Sequence, residues 1–240
     1  MAQEREADLY ARGFGRMNVG GLVHRSVRSG AILLIFGAIQ FVAGMIIVQT
    51  QYPGYSLTQN YISDLGGASS PWALGFDASV ILLGVCAIFG ILLIWGAFEP
   101  SGIRGTGLAL ILIGGIGAVG VGVFPETTPV LNGGMHTIVS FIAFSGSGIG
   151  LTVLSFAMAG DPHYRLSRPF TLACGATTLF ALVAFAAGQV TGTAGFYLAI
   201  GPGGMERLIV APVLVWGIVE GLHLARLPRY APSGPVVVTA

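Results

Sequence analysis

Three acidic side chains and one imidazole, set in short polar stretches between long apolar runs, have the chemistry of a proton-transfer or metal site. They are Asp64, Glu126, His136 and Glu206. Neighbouring carboxyl groups take different pKa values, so one can act as an acid while another acts as a base. We predict Asp64, His136 and Glu206 as catalytic candidates. The same three plus Glu126 are the predicted ligands of a hard divalent cation, which prefers carboxylate oxygens.

Asp64 belongs to the polar stretch from Gln51 to Trp72, the longest segment of the chain that cannot lie in lipid. A capping-box spacing predicts a short helix over 57–65, which places Asn60 and Asp64 one turn apart on one face. Two interpretations stay open. The stretch is either an amphipathic lid resting on the protein, or a loop that directs Asn60, Ser63 and Asp64 into a cavity.

A glycine-rich segment, GPGG at 201–204, stands directly before the last apolar run. Glycines before a helix N-terminus leave backbone N–H groups that can face an anion, and Arg207 adds a fork for phosphate or carboxylate. The alternative is a tight turn in which Glu206 and Arg207 bind loop partners. The predicted ligand-binding set comprises Asn60, Ser63, Asp64, Glu126, His136, Glu206 and Arg207.

Two further ionisable residues, Glu220 and His223, lie deep in the last apolar run and share one helical face. An ionisable group at such a depth in a membrane helix is a functional candidate. The structural alternative is an ion pair between Glu220 and Arg28 or Arg104.

The elements that must position these residues are apolar helices. The chain has 240 residues, 54% of them hydrophobic and 9% charged, with a mean hydropathy of +0.82. Soluble domains carry about 25% charged residues. A hydrocarbon core about 30 Å thick needs roughly 20 apolar residues per helix. Six segments meet that length, at about 30–50, 75–98, 106–124, 136–159, 170–190 and 207–225.

The predicted fold is therefore an all-α bundle of six transmembrane helices at 29–226, with tails at 1–28 and 227–240. Ten of the eleven arginines fall in the tails and the second and fourth loops, and there is no lysine. The positive-inside rule then predicts that both termini are cytoplasmic in a plasma-membrane protein. The predicted site residues fall on the outer face, and a net charge of +1 excludes nucleic acid as an expected partner.

The third apolar run, GLALILIGGIGAVGVGVF, is rich in glycine. Gly114, Ala118 and Gly122 form a ridge of small residues that permits close helix contact. We predict that this run is the central helix of the bundle.

Three pieces of the sequence carry a resemblance to a known family: NYISDLG, FPE followed by HTIVSFIAF, and MERLIVAPVLVWGI. Together they resemble domain-of-unknown-function family 998, which comprises prokaryotic six-helix membrane proteins. The resemblance covers roughly residues 30–225 and implies fold and location, with no established activity. Its motif residues correspond to Ser63, Asp64, Pro125, Glu126, His136, Glu206 and Arg207.

Three functions follow from these residues. The first is a lipid-directed enzyme or a lipid-binding protein whose outer polar site takes a lipid headgroup, an anion or a divalent cation. The second is a small transporter that uses Glu220. The third is a structural or assembly subunit in which the polar groups lock the loops. Membrane lipids are the expected partners, a homo-oligomer or a protein partner is left open, and no cofactor is assigned.

Overall fold

Six long helices account for nearly all of the described structure. The computed structural model describes residues 19–227, and residues 1–18 and 228–240 lie outside it. The helices are α1 Val19–Gln51, α2 Ala73–Ile94, α3 Gly102–Val123, α4 Gly134–Ala157, α5 Ser167–Thr191 and α6 Gly201–Arg226. Each contains a stretch long and apolar enough to cross a membrane, which confirms the predicted all-α fold with six spans. Helix α1 begins inside the predicted N-terminal tail, 1–28.

The six helices form a closed ring. Each helix packs against its neighbours in the chain, and α6 returns to pack against α1. Short connections explain this order, since they leave consecutive helices antiparallel and adjacent. Helix α3 therefore occupies one position in the ring, between α2 and α4, and the prediction that it is the central helix is wrong.

Glycine on α3 still brings helices close together, as its small-residue pattern predicts. A Cβ atom on Gly107 would lie 2.8 Å from the Leu154 backbone nitrogen of α4. On the other side, a Cβ atom on Gly84 of α2 would lie 2.6 Å from the Val119 nitrogen of α3. Neither site has room for a larger side chain, so α3 contacts both neighbours through backbone.

The outside of the ring carries large apolar side chains, as expected of a surface that faces lipid. Leu74, Leu166 and Val190 are more than four-fifths exposed, and similar residues lie on every helix. Inside, a cluster around Leu108, Leu151 and Trp216 is almost fully buried. With an even number of antiparallel helices, both ends of the described chain lie at one end of the bundle. We call the opposite end the distal end.

The long distal loop, residues 52–72, differs from its prediction. A turn forms at its start, where Tyr55 N–H donates to Tyr52 O and Gly54 has a φ of 75°. The helix predicted over 57–65 is wrong, since the only helical segment in that loop is a 3-10 turn at Ser63–Gly66. The Asp64 carboxylate accepts the Tyr61 N–H, and such side-chain bonds compete with the helical ladder.

Candidate functional site

The distal loop is bound directly to the first turn of α6. Gly203 N–H donates to Thr58 O at 3.0 Å, and a Cβ atom on Gly203 would overlap the Asn60 carbonyl. Gly201 has a φ of 75° and lies against Thr58 in the same way. Glycine is needed at 201 for its conformation and at 203 for the close approach. The predicted anion-binding N–H groups therefore face the loop, and the one at Gly203 bonds to it.

Arg207 also attaches the distal loop to α6, through both terminal nitrogens of its guanidinium group. Nη1 lies within 3.0 Å of three backbone carbonyl oxygens, those of Leu57, Asn60 and Gly203. Nη2 donates to the Tyr55 hydroxyl at 2.6 Å. Burial raises the pKa of Tyr55, and the nearby Arg207 charge opposes that rise. The N–H donors of the guanidinium group are thus already hydrogen-bonded, mainly to the loop.

Glu206 and Asp64 hold the middle of the loop. Glu206 is buried on α6, at 7% exposure, and accepts the Ile62 N–H. One oxygen of Asp64, Oδ2, accepts from the Asn60 amide and from the Tyr61 N–H, both at 2.9 Å. These bonds support the alternative in which Glu206 and Arg207 bind loop partners.

Glu126 brings a second carboxyl group to Asp64. It follows α3 in the chain and is exposed as a residue, while its carboxyl end lies within reach of the Asp64 carboxyl and the Ser63 hydroxyl. Partial burial raises the pKa of Glu126, and the Asp64 charge raises it further, while Ser63 opposes the rise. Two adjacent carboxyl groups favour sharing one proton over ionising together.

His136, in the first turn of α4, has a defined tautomer. Its Nδ1 lies 2.8 Å from the Phe124 carbonyl oxygen, which only accepts hydrogen bonds, so Nδ1 carries the proton. Nε2 of the neutral ring is then an acceptor, and the Ser140 hydroxyl lies 3.4 Å from it. A neutral imidazole with an available nitrogen is suited to accept a proton.

A cavity of about 480 Å³ joins these polar groups to an apolar wall. Its polar lining residues are Tyr61, Ser63, Glu126, His136, Thr137, Ser140, Gln189 and Glu206. Its apolar lining residues are Phe141, Phe144, Leu182, Phe185, Ala186 and Val190.

The cavity lies where α4 and α5 separate. Further from the distal end these helices touch, and a Cβ atom on Gly175 would lie 2.7 Å from the Thr152 nitrogen. Two lining residues of the distal half, Phe141 and Val190, are 57% and 87% exposed. The cavity therefore opens sideways, between α4 and α5, onto the apolar outer surface of the ring.

Two smaller cavities continue from this one into the ring. The first, about 80 Å³, shares His136, Glu206 and Phe144 with the large cavity. The second, about 120 Å³, shares Phe144 with both and is apolar, and it reaches as far as Trp216 on α6. The three form a series that runs from the polar distal site to the centre of the bundle.

The structure divides the predicted ligand-binding residues into two groups. Ser63, Glu126, His136 and Glu206 line the large cavity, whereas Asn60, Asp64 and Arg207 bind loop atoms behind it. Among the described residues, no three side chains of the metal-binding types are arranged to hold a metal ion.

The predicted ligand-binding set lacks four polar residues of the cavity: Tyr61, Thr137, Ser140 and Gln189. Of these, Tyr61 and Gln189 hydrogen-bond each other across the distal end. Their pairing joins the loop to α5 over a long stretch of chain, and no local spacing predicts it. Burial raises the pKa of Tyr61.

Glu220 and His223 lie far from this site, near the other end of α6. The predicted pairing of Glu220 with Arg28 or Arg104 is wrong. Neither carboxyl oxygen of Glu220 has a hydrogen-bond partner in residues 19–227, and Arg104 Nη1 instead donates to Phe98 O.

Comparison with known families returns one match, which confirms the resemblance found from the motifs. A family model described as "Protein of unknown function (DUF998)" matches residues 35–223. No curated protein and no solved structure matches the chain. The matched range includes every residue of the cavity.

Proposed function

Because the chain belongs to the DUF998 family, whose description assigns no activity, we propose its function from the site itself: the protein binds an amphiphilic lipid at its distal end. One observation carries this proposal. A single cavity of about 480 Å³ has carboxyl and imidazole groups at one side and aromatic and aliphatic walls at the other, and it opens onto the lipid-facing surface. A lipid is the ligand with matching polar and apolar parts.

The polar groups favour a headgroup that donates hydrogen bonds, such as an amine or a polyol. The groups on that side of the cavity include carboxyl oxygens of Glu126 and Glu206 and the Nε2 acceptor of His136. The Asp64 carboxyl lies directly behind Glu126. Arg207, the cation that would attract an anionic headgroup, is bonded to the loop. Like-charge repulsion then disfavours a headgroup that carries only negative charge.

The same arrangement supports acid–base chemistry on a bound headgroup. His136 Nε2 is the nitrogen that can accept a proton, since Nδ1 donates to Phe124 O, and Glu126 retains its proton to a higher pH than an ordinary carboxyl group. A base and an acid that line one cavity are the pair that such catalysis requires.

The arginine distribution supports an orientation with the distal end outside the cell. Among the arginines of residues 19–227 only Arg207 belongs to the distal end, and it is bonded to the loop. By the positive-inside rule, the end that carries the other arginines of this range faces the cytoplasm of a plasma-membrane protein. The lipid site would then take its ligand from the outer leaflet.

A second function, a structural or assembly subunit, is favoured by a different observation. Arg207 and Glu206 of α6 and Asp64 within the loop hold the distal loop in place by hydrogen bonds. If the loop attachment were the whole role of the site, the cavity would be incidental. The two functions predict different effects on lipid retention when the cavity-lining residues are mutated.

The test is native mass spectrometry of the protein released from its own membranes. Ala186→Phe fills the cavity from the α5 side, and Val183→Phe is the matched control, since Val183 is 69% exposed and lies outside the cavity lining. Glu126→Gln tests the headgroup contact, with the exposed neighbour Thr127→Ala as its control.

We expect wild type and both controls to retain a lipid that Ala186→Phe loses. Glu126→Gln is expected to retain about tenfold less of it, the loss of roughly one hydrogen bond to a charged group. The mass of the retained lipid identifies an amine or polyol headgroup. Equal lipid retention by Ala186→Phe and Val183→Phe, with both proteins folded, would refute the proposal and favour the structural function.

A further inference from the structure

Glu220 is the most deeply buried acid in the described chain that has no partner. Its side chain is 0% exposed, and neither carboxyl oxygen makes a hydrogen bond to residues 19–227. The Ser167 hydroxyl lies nearby without making a hydrogen bond of good geometry. An unpaired carboxylate is extremely unfavourable in such surroundings, so the carboxyl group is neutral and carries a proton.

A second polar atom without a partner lies one turn along the same face. His223 Nε2 is buried and makes no hydrogen bond within the described residues. Residues three apart on a helix have Cβ atoms about 5–6 Å apart, so Glu220 and His223 extend from the same face of α6. A buried carboxyl group and a buried imidazole nitrogen, both without a hydrogen-bond partner in residues 19–227, thus lie one turn apart.

A short route joins this pair to the surface at the end of the bundle near the termini. Glu220 stands six residues before Arg226, about 9 Å from the end of α6 at 1.5 Å per residue. The His223 ring hydrogen-bonds the backbone of His163, in the turn before α5, and the His163 side chain is 54% exposed with its Nδ1 3.0 Å from Asp161 Oδ1. The Tyr164 ring packs against His223 at 5.7 Å, and its hydroxyl is held by Ala97 O.

Other charged and titratable groups lie at the same end of the bundle. Helices α1, α5 and α6 contribute exposed arginines, and the turns contribute most of the rest. They are His24, Arg25 and Arg28 on α1, Arg168 on α5, Arg226 on α6, Glu99 and Arg104 around the start of α3, and Asp161 and Arg165 before α5.

The innermost of the three cavities lies on the distal side of Glu220. Trp216 and Gly217, one turn before Glu220 on α6, line this apolar cavity. Glu220 therefore lies one turn beyond the cavity lining, between these two residues and the end of α6 near the termini.

We propose that Glu220 and His223 form a proton-binding site that exchanges with solvent at the termini end of the bundle through His163. The carboxyl group of Glu220 holds the proton. His223 accepts it at Nε2 and releases the proton of its other ring nitrogen towards the turn that contains His163, and the His163 imidazole exchanges that proton with water. This site is separate from the distal lipid site, and it gives the protein a proton-dependent step on the opposite side of the membrane.

The test is infrared difference spectroscopy of the full-length protein in lipid nanodiscs. Wild type should show the C=O band of a protonated carboxyl group at neutral pH, and Glu220→Gln should lack it. Glu220→Asp should shift the band, which keeps the assignment testable if the glutamine variant fails to fold. Glu99→Gln, at an exposed position before α3, is the control and should leave this band in place.

The route is tested by transferring each protein into deuterated buffer. His223→Ala and His163→Ala should slow the deuterium shift of the Glu220 band by about 100-fold, the lower end of the scale for loss of a positioned proton-transfer group. The exposed neighbour Arg165→Ala should leave the rate unchanged. A wild-type spectrum identical to that of Glu220→Gln would overturn the proton-binding site. Unchanged exchange in both histidine variants would overturn the route.

Discussion

Replacing Arg207 with methionine tests whether the distal loop is held by one side chain. Methionine keeps an unbranched apolar stem of similar length and removes only the guanidinium group. Nη1 has two N–H bonds for its three carbonyl acceptors, and Nη2 makes one short bond to Tyr55. Three well-made bonds are therefore lost, since the bond from Nη2 to Gln49 is long at 3.4 Å.

The size of the effect follows from the exposure of these bonds. A hydrogen bond to a charged group contributes about 1.5–3 kcal/mol, and the loop carbonyls, which lie near the surface, recover part of that from water. We expect a loss of about 2–4 kcal/mol. For a chain of this size that corresponds to a fall of about 5–15 °C in Tm. Arg207→Lys should lose about half as much, because a point charge cannot reach the loop carbonyls and Tyr55 together.

Thermal unfolding in detergent measures the global effect, and limited proteolysis within residues 52–72 measures the local one. Arg165→Met is the matched control, because Arg165 is exposed in the turn before α5. A surface substitution of this kind should change stability by less than about 0.5 kcal/mol. If Arg207→Met melted like Arg165→Met, or left the loop as resistant to protease as in wild type, the described bonds would not be what holds the loop.

Two further predictions concern the same end of the molecule. Gly203→Ala should detach the loop from α6, because its Cβ atom would overlap Asn60, whereas Gly105→Ala meets no described atom within 4 Å and should be neutral or stabilising by about 1 kcal/mol; protease sensitivity of the loop distinguishes them. Asp64→Asn should lower the pKa of Glu126, since the Asp64 charge helps to raise it. Because the folded pKa of Glu126 lies above its ordinary value of 4.5, its protonation stabilises the folded state below that value, and this contribution is lost as pH rises through the raised pKa. The variant should lose less stability over that pH range, as measured by the melting temperature against pH.

Topology alone brings the polar residues of the distal end together. Hydrophobic segments of sufficient length place Asp64, Glu126, His136 and Glu206 at one end of six antiparallel helices. Length and apolar composition are local properties, and a bilayer imposes the same requirement on each span. This is why ends of distant helices could be assigned to one face before any contact was known.

Topology and local spacing do not decide the role of Arg207. A glycine-rich helix start followed by arginine is equally compatible with an anion site and with a bound loop. The decision depends on Thr58 and Asn60, whose carbonyl groups arrive from about 145 residues earlier in the chain and occupy the donors. No local spacing carries that information, since it depends on how α1 and α6 close the ring.

By itself, the sequence determined the number of spans, their approximate limits, the family and the end of the bundle at which the polar residues gather. These depend on hydrophobic length, helical period and short motifs, all of which are local. Only the tertiary structure decided which polar groups hold the loop and which line the lipid-facing cavity. It also decided that Glu220 has no hydrogen-bond partner in residues 19–227. Those outcomes are set by contacts between distant segments, where the direction of a side chain depends on the neighbour that packing supplies.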